Sequence, residues 1–234
     1  MAFVRDLWYA AGWSEDVKRE LVPRTIIGDH IVLYRSIAGD IVALSDTCPH
    51  RFAPIHRGKL VGDAVECGYH GLRFSSDGAC IHNPHGNGVT PKTARLRRYP
   101  VHELNGLIWL WLGEASDADV SQIPTFPWLD DTSYTFTGGH MMAMNLAHDL
   151  IVDNLLDLSH AAYLHPATLG AAQGTKDITS VTRSGTRIQS DRLIPNSLPA
   201  FVFTATGAAA ADEYVDYWAN MRWDPPGPST WMPG

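Results

Sequence analysis

Cys48-Pro49-His50 is followed, sixteen residues on, by Cys67-Gly68-Tyr69-His70. Each short stretch offers one thiolate and one imidazole, so two loops bring a matched set of four soft donors. That set serves two chemistries. It suits a structural zinc, for which two Cys and two His are a common shell. It also suits a [2Fe–2S] centre in which imidazoles replace two of the usual four thiolates, lowering the negative charge of the site and raising its potential. Pro49 stiffens the first loop, and Gly68 and Gly71 are expected to let the second backbone run close to inorganic sulfur. The remaining cysteine, Cys80, reads as a small buried apolar residue rather than a ligand.

Outward from these loops the text is β. Thr25-Ile26-Ile27 and Ile31 to Tyr34 flank Gly28-Asp29, and Ile41 to Leu44 follows Gly39-Asp40. Short β-branched runs broken by such turns predict antiparallel hairpins. Val61 to Glu66 leads into the second donor loop. Leu72 to Phe74 and Ala79 to His82 bracket the turn 75–78, and Arg95 to His102 and Leu107 to Leu112 bracket Asn105-Gly106. Near the start, Ser14 before Glu15 and Asp16 predicts a helix N-cap. The four donors therefore stand on two loops at the tip of a small antiparallel domain, where electrons can reach them from outside.

The chain has 234 residues, 45% hydrophobic and 18% charged, enough for one large or two modest cores and too apolar for a disordered segment. Its longest apolar runs are of strand length, so no membrane span is expected, and Met1 to Tyr9 lacks a signal-peptide pattern. A cytoplasmic protein is expected. A formal net charge of −7 argues against a nucleic-acid partner. Three cysteines in a reducing compartment do not make a disulfide framework.

Ile123 to Trp128, with two prolines, reads as a linker, and the pattern then changes. Residues 1–125 are expected to form the donor-bearing domain and 126–234 a second one. Tyr134 to Thr137 predicts a strand, Leu146 to Leu158 a helix with apolar residues on one face, and the alternation after Ile178 another sheet. The helix runs into Asp157, His160 and His165. Asp157 lies three residues before His160, on the same face. His165 is five beyond, an offset that needs a break or wide turn for the imidazoles to meet. Two His and a carboxylate with positions left open make the facial triad of non-haem Fe(II) oxygenases. Either histidine alone is better explained by the preference of imidazole for a helix C-terminus.

Taken with Cys48-Pro49-His50-Arg51-Phe52-Ala53-Pro54, Tyr69-His70-Gly71-Leu72, residues 82–88 and 152–165, the chain resembles the oxygenase component of the Rieske non-haem iron oxygenases, within them the vanillate and dicamba O-demethylase group. The resemblance runs from Trp8 to about Trp223. It implies an α+β protein, with an antiparallel β Rieske domain ahead of a helix-grip-like catalytic domain. It implies that Cys48 and Cys67 bind one iron of the [2Fe–2S] cluster and His50 and His70 the other. His160 and His165 would bind a mononuclear Fe2+, with Asn154 beside it. Asp157 would not ligate but would bridge His160 to His70 of a neighbouring subunit in a homotrimer. The family's third iron ligand is an aspartate in a segment that would follow residue 234, and Asp177, Asp191, Asp212, Glu213, Asp216 and Asp224 match no such motif, so a C-terminally truncated catalytic domain is expected.

The activity implied is O2- and NAD(P)H-dependent hydroxylation or O-demethylation of an aromatic acid, with electrons from a reductase or ferredoxin. Aromatic ring-hydroxylating dioxygenases carry both motifs and imply a second small subunit. A Rieske electron carrier with an appendage would need only the first motif, and a zinc-stabilised binding module neither iron.

Overall fold

In a computed structural model the described residues are 4–126, 129, 132, 147–170, 177–225 and 229–233. The chain divides into two compact units, Met1–Met142 and Ala143–Gly234. The strand expected at Tyr134 to Thr137 lies outside the described residues.

Among the described residues the first unit holds ten short strands: β1 (Trp8–Trp13), β2 (Val22–Ile26), β3 (Asp29–Arg35), β4 (Ile41–Ser45), β5 (Lys59–Val61), β6 (Ala64–Glu66), β7 (Arg73–Phe74), β8 (Cys80–His82), β9 (Val101–Leu104) and β10 (Leu107–Trp111). They form three antiparallel sheets, ordered β1-β10-β9, β2-β3-β4 and β5-β6-β7-β8.

The β3 and β4 runs are continuously apolar because both faces of this ribbon are covered. Ile31, Leu33, Ile41 and Ala43 point into one core with Ile108, Leu110 and Leu112. Val32, Tyr34, Val42 and Leu44 point into another, with Ile55, Val65, Phe74, Leu96 and both Cys48 and Cys67. Side chains of this size stabilise by about 1.5–3 kcal/mol each when fully buried, so the second core fixes the two cysteines in place.

The turns follow the sequence with shifts of a residue. The first hairpin turns at Ile27 and Gly28, both at positive φ (46° and 88°), and Asp29 already begins β3. Asn105 and Gly106 (53° and 74°) make the last hairpin turn as expected, the mirror-image geometry that matches strand twist. Arg95 to Pro100 is not a full strand. It touches β4 through the bridge Leu44–Arg98, with bonds from Tyr99 N–H to the Ala43 carbonyl and from Ser45 N–H to the Arg97 carbonyl, and a strand forms only after Pro100. Ser14 does not cap. It opens a 3-10 turn with no side-chain cap, and its hydroxyl donates to Glu103 instead. Ile123 and Phe126, read as linker, are buried against Trp8, Trp109 and Trp111.

The second unit holds α1 (His148–Leu156), α2 (Ala161–Leu164), α3 (Phe201–Ala205) and an antiparallel sheet of β11 (Ile178–Ser184), β12 (Arg187–Ser197), β13 (Val215–Trp223) and β14 (Ser229–Pro233) in that order. No helix among the described residues is long and apolar enough to cross a membrane.

Candidate metal centres

The two donor loops are near copies of each other. In the first, Cys48 N–H donates to the Ala53 carbonyl (2.9 Å) and Phe52 N–H to the Cys48 carbonyl (2.8 Å). In the second, Cys67 N–H donates to Leu72 (2.8 Å) and Gly71 N–H to Cys67 (3.0 Å). Each loop closes through a left-handed residue four places after its cysteine, Gly71 at φ 72° and Phe52 at φ 57°. Glycine takes that conformation without strain, whereas a side chain there costs about 1–2 kcal/mol. The second loop lies against the 3-10 turn Ile55–Arg57 that follows the first. A Cβ on Gly68 would stand 2.8 Å from the Arg57 carbonyl oxygen, and one on Gly58 1.8 Å from that of Glu66. The approach that needs Gly68 is thus between the two chain segments that carry the loops.

The first loop is also held at its base. Asp46, 6% exposed, accepts from the His56 N–H (2.7 Å) and bonds His56 Nδ1 (2.5 Å). Its own N–H goes to the His30 carbonyl, and its carbonyl takes the Ile55 N–H.

The donors separate into two pairs. Cys48 and Cys67 are buried at 2% exposure each and form no disulfide. Burial, followed by the neighbouring Cys67, pushes the Cys48 thiol up, against hydrogen bonds from the His50 and Arg51 backbone N–H groups. Two adjacent thiols, the first with N–H groups aimed at its sulfur, become thiolates when a metal replaces their protons. His50 and His70 lie toward the surface, ring centroids 4.6 Å apart and edge to face. Desolvation, then His50, His85 and Arg51, hold the His70 imidazole below its ordinary range, which favours the neutral, ligating form. His85 Nε2 lies 2.9 Å from the His70 carbonyl oxygen, and its ring meets that of His70 at 6.1 Å. Thiols inside and imidazoles outside fit two irons bridged by sulfide, one served by each pair.

Cys80 is half-buried, its thiol raised by burial, and it packs at the margin of the second core, as an apolar residue does.

In the second unit α1 stops at Leu156, two residues short of the expected end at Leu158. Asp157 leaves the helix at φ −106°, ψ 94°, and accepts from the Ser159 N–H (2.9 Å), so it caps the 3-10 turn Leu158–His160. The Ser159 side chain, then its backbone N–H, hold the Asp157 carboxyl below the usual carboxylate range. His160 Nδ1 bonds the Asp157 carbonyl oxygen at 2.6 Å, not its carboxylate. A carbonyl can only accept, so Nδ1 carries a proton and Nε2 is the nitrogen left to face a metal. Asn154 Nδ2 lies 3.4 Å from that Nε2. The single turn α2 follows and ends at His165 (φ −125°, ψ 39°). That ending brings the His160 and His165 rings to 5.5 Å between centroids despite the offset of five. The His165 carbonyl is pinned by the N–H groups of Thr168, Leu169 and Gly170. Together with Asn154, Leu158, Arg192, Ile194, Tyr217 and Met221 the two imidazoles line a cavity of about 600 Å³. The pair suits a mononuclear Fe2+: two imidazoles lining a largely apolar cavity, one with its Nδ1 held by a neighbour.

Residues 7–100 match the Rieske [2Fe-2S] domain, and residues 144–232 match the vanillate O-demethylase oxygenase C-terminal domain. Crystal structures of dicamba monooxygenase superimpose over the whole chain, with a TM-score of 0.91 and 37% identity for the complex with 3,6-dichlorosalicylic acid, of which the chain covers 68%. This chain belongs to the Rieske non-haem iron oxygenases.

Among the relatives of this Rieske oxygenase are the oxygenase component of dicamba O-demethylase from Stenotrophomonas maltophilia, 39% identical over 96% of the chain, and the vanillate O-demethylase oxygenase subunit of Pseudomonas sp. (strain HR199 / DSM 7063), 30% identical over 96%. The chain spans 66% and 63% of their lengths. Family membership brings the two cofactors, a Rieske [2Fe–2S] cluster and a mononuclear iron. Three features of the centres escaped sequence reasoning. The Asp46–His56 clamp is separated by ten residues with no motif. Phe52 gives no sign of a left-handed backbone. Arg192 lies 32 residues beyond His160 and is the cation of the cavity wall.

Proposed function

We propose that this chain is the terminal oxygenase component of a Rieske-type aromatic monooxygenase, acting on an aromatic acid by hydroxylation or O-demethylation. The observation that carries the proposal is the pairing of His160 and His165 over an apolar cavity in a chain that also holds two buried cysteines and two surface histidines on twin loops. Residues 1–125 form the Rieske part and 126–234 the mononuclear-iron part. Cys48 and Cys67 hold one iron of the cluster and His50 and His70 the other. His160 and His165 hold the mononuclear iron, which when bound supplies the oxygen chemistry.

The rest is the work of this chain. The Asp157 carbonyl fixes the tautomer of His160, and Asn154 lies at its metal-facing nitrogen. Leu158, Ile194, Tyr217 and Met221 give the apolar walls that exclude water and receive an aromatic ring. Asp157, kept anionic, is the bridge to His70 of a neighbouring copy in a homotrimer. A reductase or ferredoxin supplies electrons at the exposed face of His50, in the cytoplasm.

Anaerobically purified protein tests this by iron and sulfide analysis with low-temperature EPR. The intact protein should carry a Rieske signal and three irons per chain. His50→Ala should lose the signal, and His160→Ala should lose one iron and keep it. A His160→Ala protein with unchanged iron content would refute the assignment. With a methoxylated aromatic acid, O2 and a reductase, formaldehyde should appear; ring-hydroxylated product without formaldehyde would reject O-demethylation.

A further inference from the structure

The cavity beside His160 contains a guanidinium that the roles above leave unused. Arg192 sits on β12, paired across the sheet with Thr179 on β11 and Ala219 on β13. Its side chain is 13% exposed. Nε donates to Asp177 Oδ2 at 3.0 Å and Nη2 donates to the same carboxylate, while Nη1 donates to the Leu158 carbonyl at 2.5 Å. Leu158 is the first residue of the 3-10 turn that ends in His160, and its side chain packs with Ile194, Tyr217, Ala219 and Phe203.

We propose that Arg192, oriented by Asp177, is the positioning residue that holds the His160 turn on the sheet and so sets the aim of the His160 imidazole at the metal. This rests on the reading of His160 and His165 as metal ligands. The break at Asp157 takes the Leu158 carbonyl out of α1; it accepts the Ala161 N–H within the 3-10 turn, and a charged donor from the sheet occupies its second lone pair and ties the turn to β12. The peptide so anchored is the one between Leu158 and Ser159, directly after the Asp157 carbonyl that fixes the His160 tautomer. Movement at Leu158 therefore moves the His160 ring. The carboxylate of Asp177 matches the Arg192 charge and occupies two faces of its fork. An anionic substrate would have to displace a partner already in place, so the contacts favour positioning over substrate binding.

The experiment is Co(II) titration of the intact, cluster-loaded protein after removal of its mononuclear metal, followed by visible ligand-field absorption. Arg192→Gln should weaken Co(II) binding about tenfold or more, the range of outer partners of metal-bound histidines, and should change the ligand-field spectrum. Arg192→Lys, which restores one charged N–H, should recover part of both, and Asp177→Asn should fall between. The cluster EPR signal should be the same in all three. Arg192→Gln with wild-type Co(II) affinity and spectrum would overturn the proposal, as would normal Co(II) binding with loss of aromatic-acid binding, which would make Arg192 a substrate contact. Wild type binding Co(II) no better than His160→Ala would overturn instead the metal-site reading beneath it. Should Arg192→Gln fail to fold, the Arg192→Lys and Asp177→Asn spectra decide: both identical to wild type would refute the role.

Discussion

Removing the Asp46 carboxylate should open the first cluster loop. Asp46 and His56 stand at the two ends of the segment that carries Cys48 and His50, and the carboxylate takes both the backbone N–H and the Nδ1 of His56. In Asp46→Ala both bonds go. A hydrogen bond to a charged group is worth about 1.5–3 kcal/mol. The Asp46 side chain is only 7% exposed, so the full loss applies there, but the His56 side chain is 25% exposed and water recovers part of its share. The expected cost is about 3 kcal/mol, at the low end for breaking a buried pair from one side. Bleaching of the cluster by a chelator reads this locally. When loop opening is fast relative to capture, the rate follows the open population, and about 3 kcal/mol corresponds to roughly a hundredfold acceleration. His56→Ala keeps a backbone N–H for Asp46 and should bleach roughly tenfold faster. The double variant should be no worse than Asp46→Ala alone, because the two share one contact. Asp46→Ala bleaching within threefold of wild type would show that the loop is held by its own twin hydrogen bonds and not by the clamp.

Other parts of the first unit give equally direct tests. Gly58→Ala would place a methyl 1.8 Å from the Glu66 carbonyl oxygen and should cost about 3 kcal/mol or more in urea unfolding, whereas Gly62→Ala, with nothing within 4 Å but φ 60°, should cost only about 1–2 kcal/mol. Burial pushes the Tyr34 hydroxyl, which donates to the Asp63 carbonyl, up to about 12. The folded state therefore keeps a proton that the unfolded chain releases near pH 10. The stability Tyr34 contributes is intact below pH 10 and is lost as pH rises through 12, so urea midpoints of wild type and Tyr34→Phe should differ by a constant up to pH 10 and converge or cross above it. Phe52→Gly removes the strain of φ 57° at a side chain 77% exposed and should leave stability within about 1 kcal/mol of wild type; a larger loss would mean that the ring packs on something in the assembled protein.

What could be read from the sequence follows from the range of the interactions involved. The hairpins of the first unit are local: Asn105-Gly106 and Gly78 specify their turns within a few residues, and the continuous runs Ile31–Tyr34 and Ile41–Leu44 announce a ribbon covered on both faces. The candidate donors stand out because ligand chemistry restricts the choice to Cys and His at short spacings. The exact helix end was not. The apolar pattern continues through Leu158, which packs half-buried on the second unit's core, but it does so from a 3-10 turn, because the Asp157 side chain captures the Ser159 N–H and begins a new element. Sequence periodicity reports which side chains are apolar and is blind to which carbonyl a helix releases. The Asp46–His56 and Arg192–Leu158 contacts were hidden for the same reason: each joins a side chain to backbone or to a distant partner, with no spacing to mark it.

The two centres are stabilised in different ways, and this predicts which is the more easily lost. Cys48 and Cys67, proposed to hold one iron of the cluster, lie inside a core with Ile55, Val65, Phe74 and Leu96, and every one of those neighbours is at most 2% exposed. Releasing that iron requires opening the core itself. His160 and His165 project from one short turn and one helix end, and among the described residues the apolar cluster beneath them is small, with Ile194, Tyr217 and Ala219 buried and Leu158 and Phe203 half-buried against them. Local opening there disrupts far less apolar area, and area sets the cost. Mild chelation should therefore strip the mononuclear metal while the Rieske EPR signal persists, and hydrogen exchange should be faster for the amides of 157–165 than for those of 31–34. Loss of the cluster signal before the third iron would show that the two loops open independently of the core beneath them.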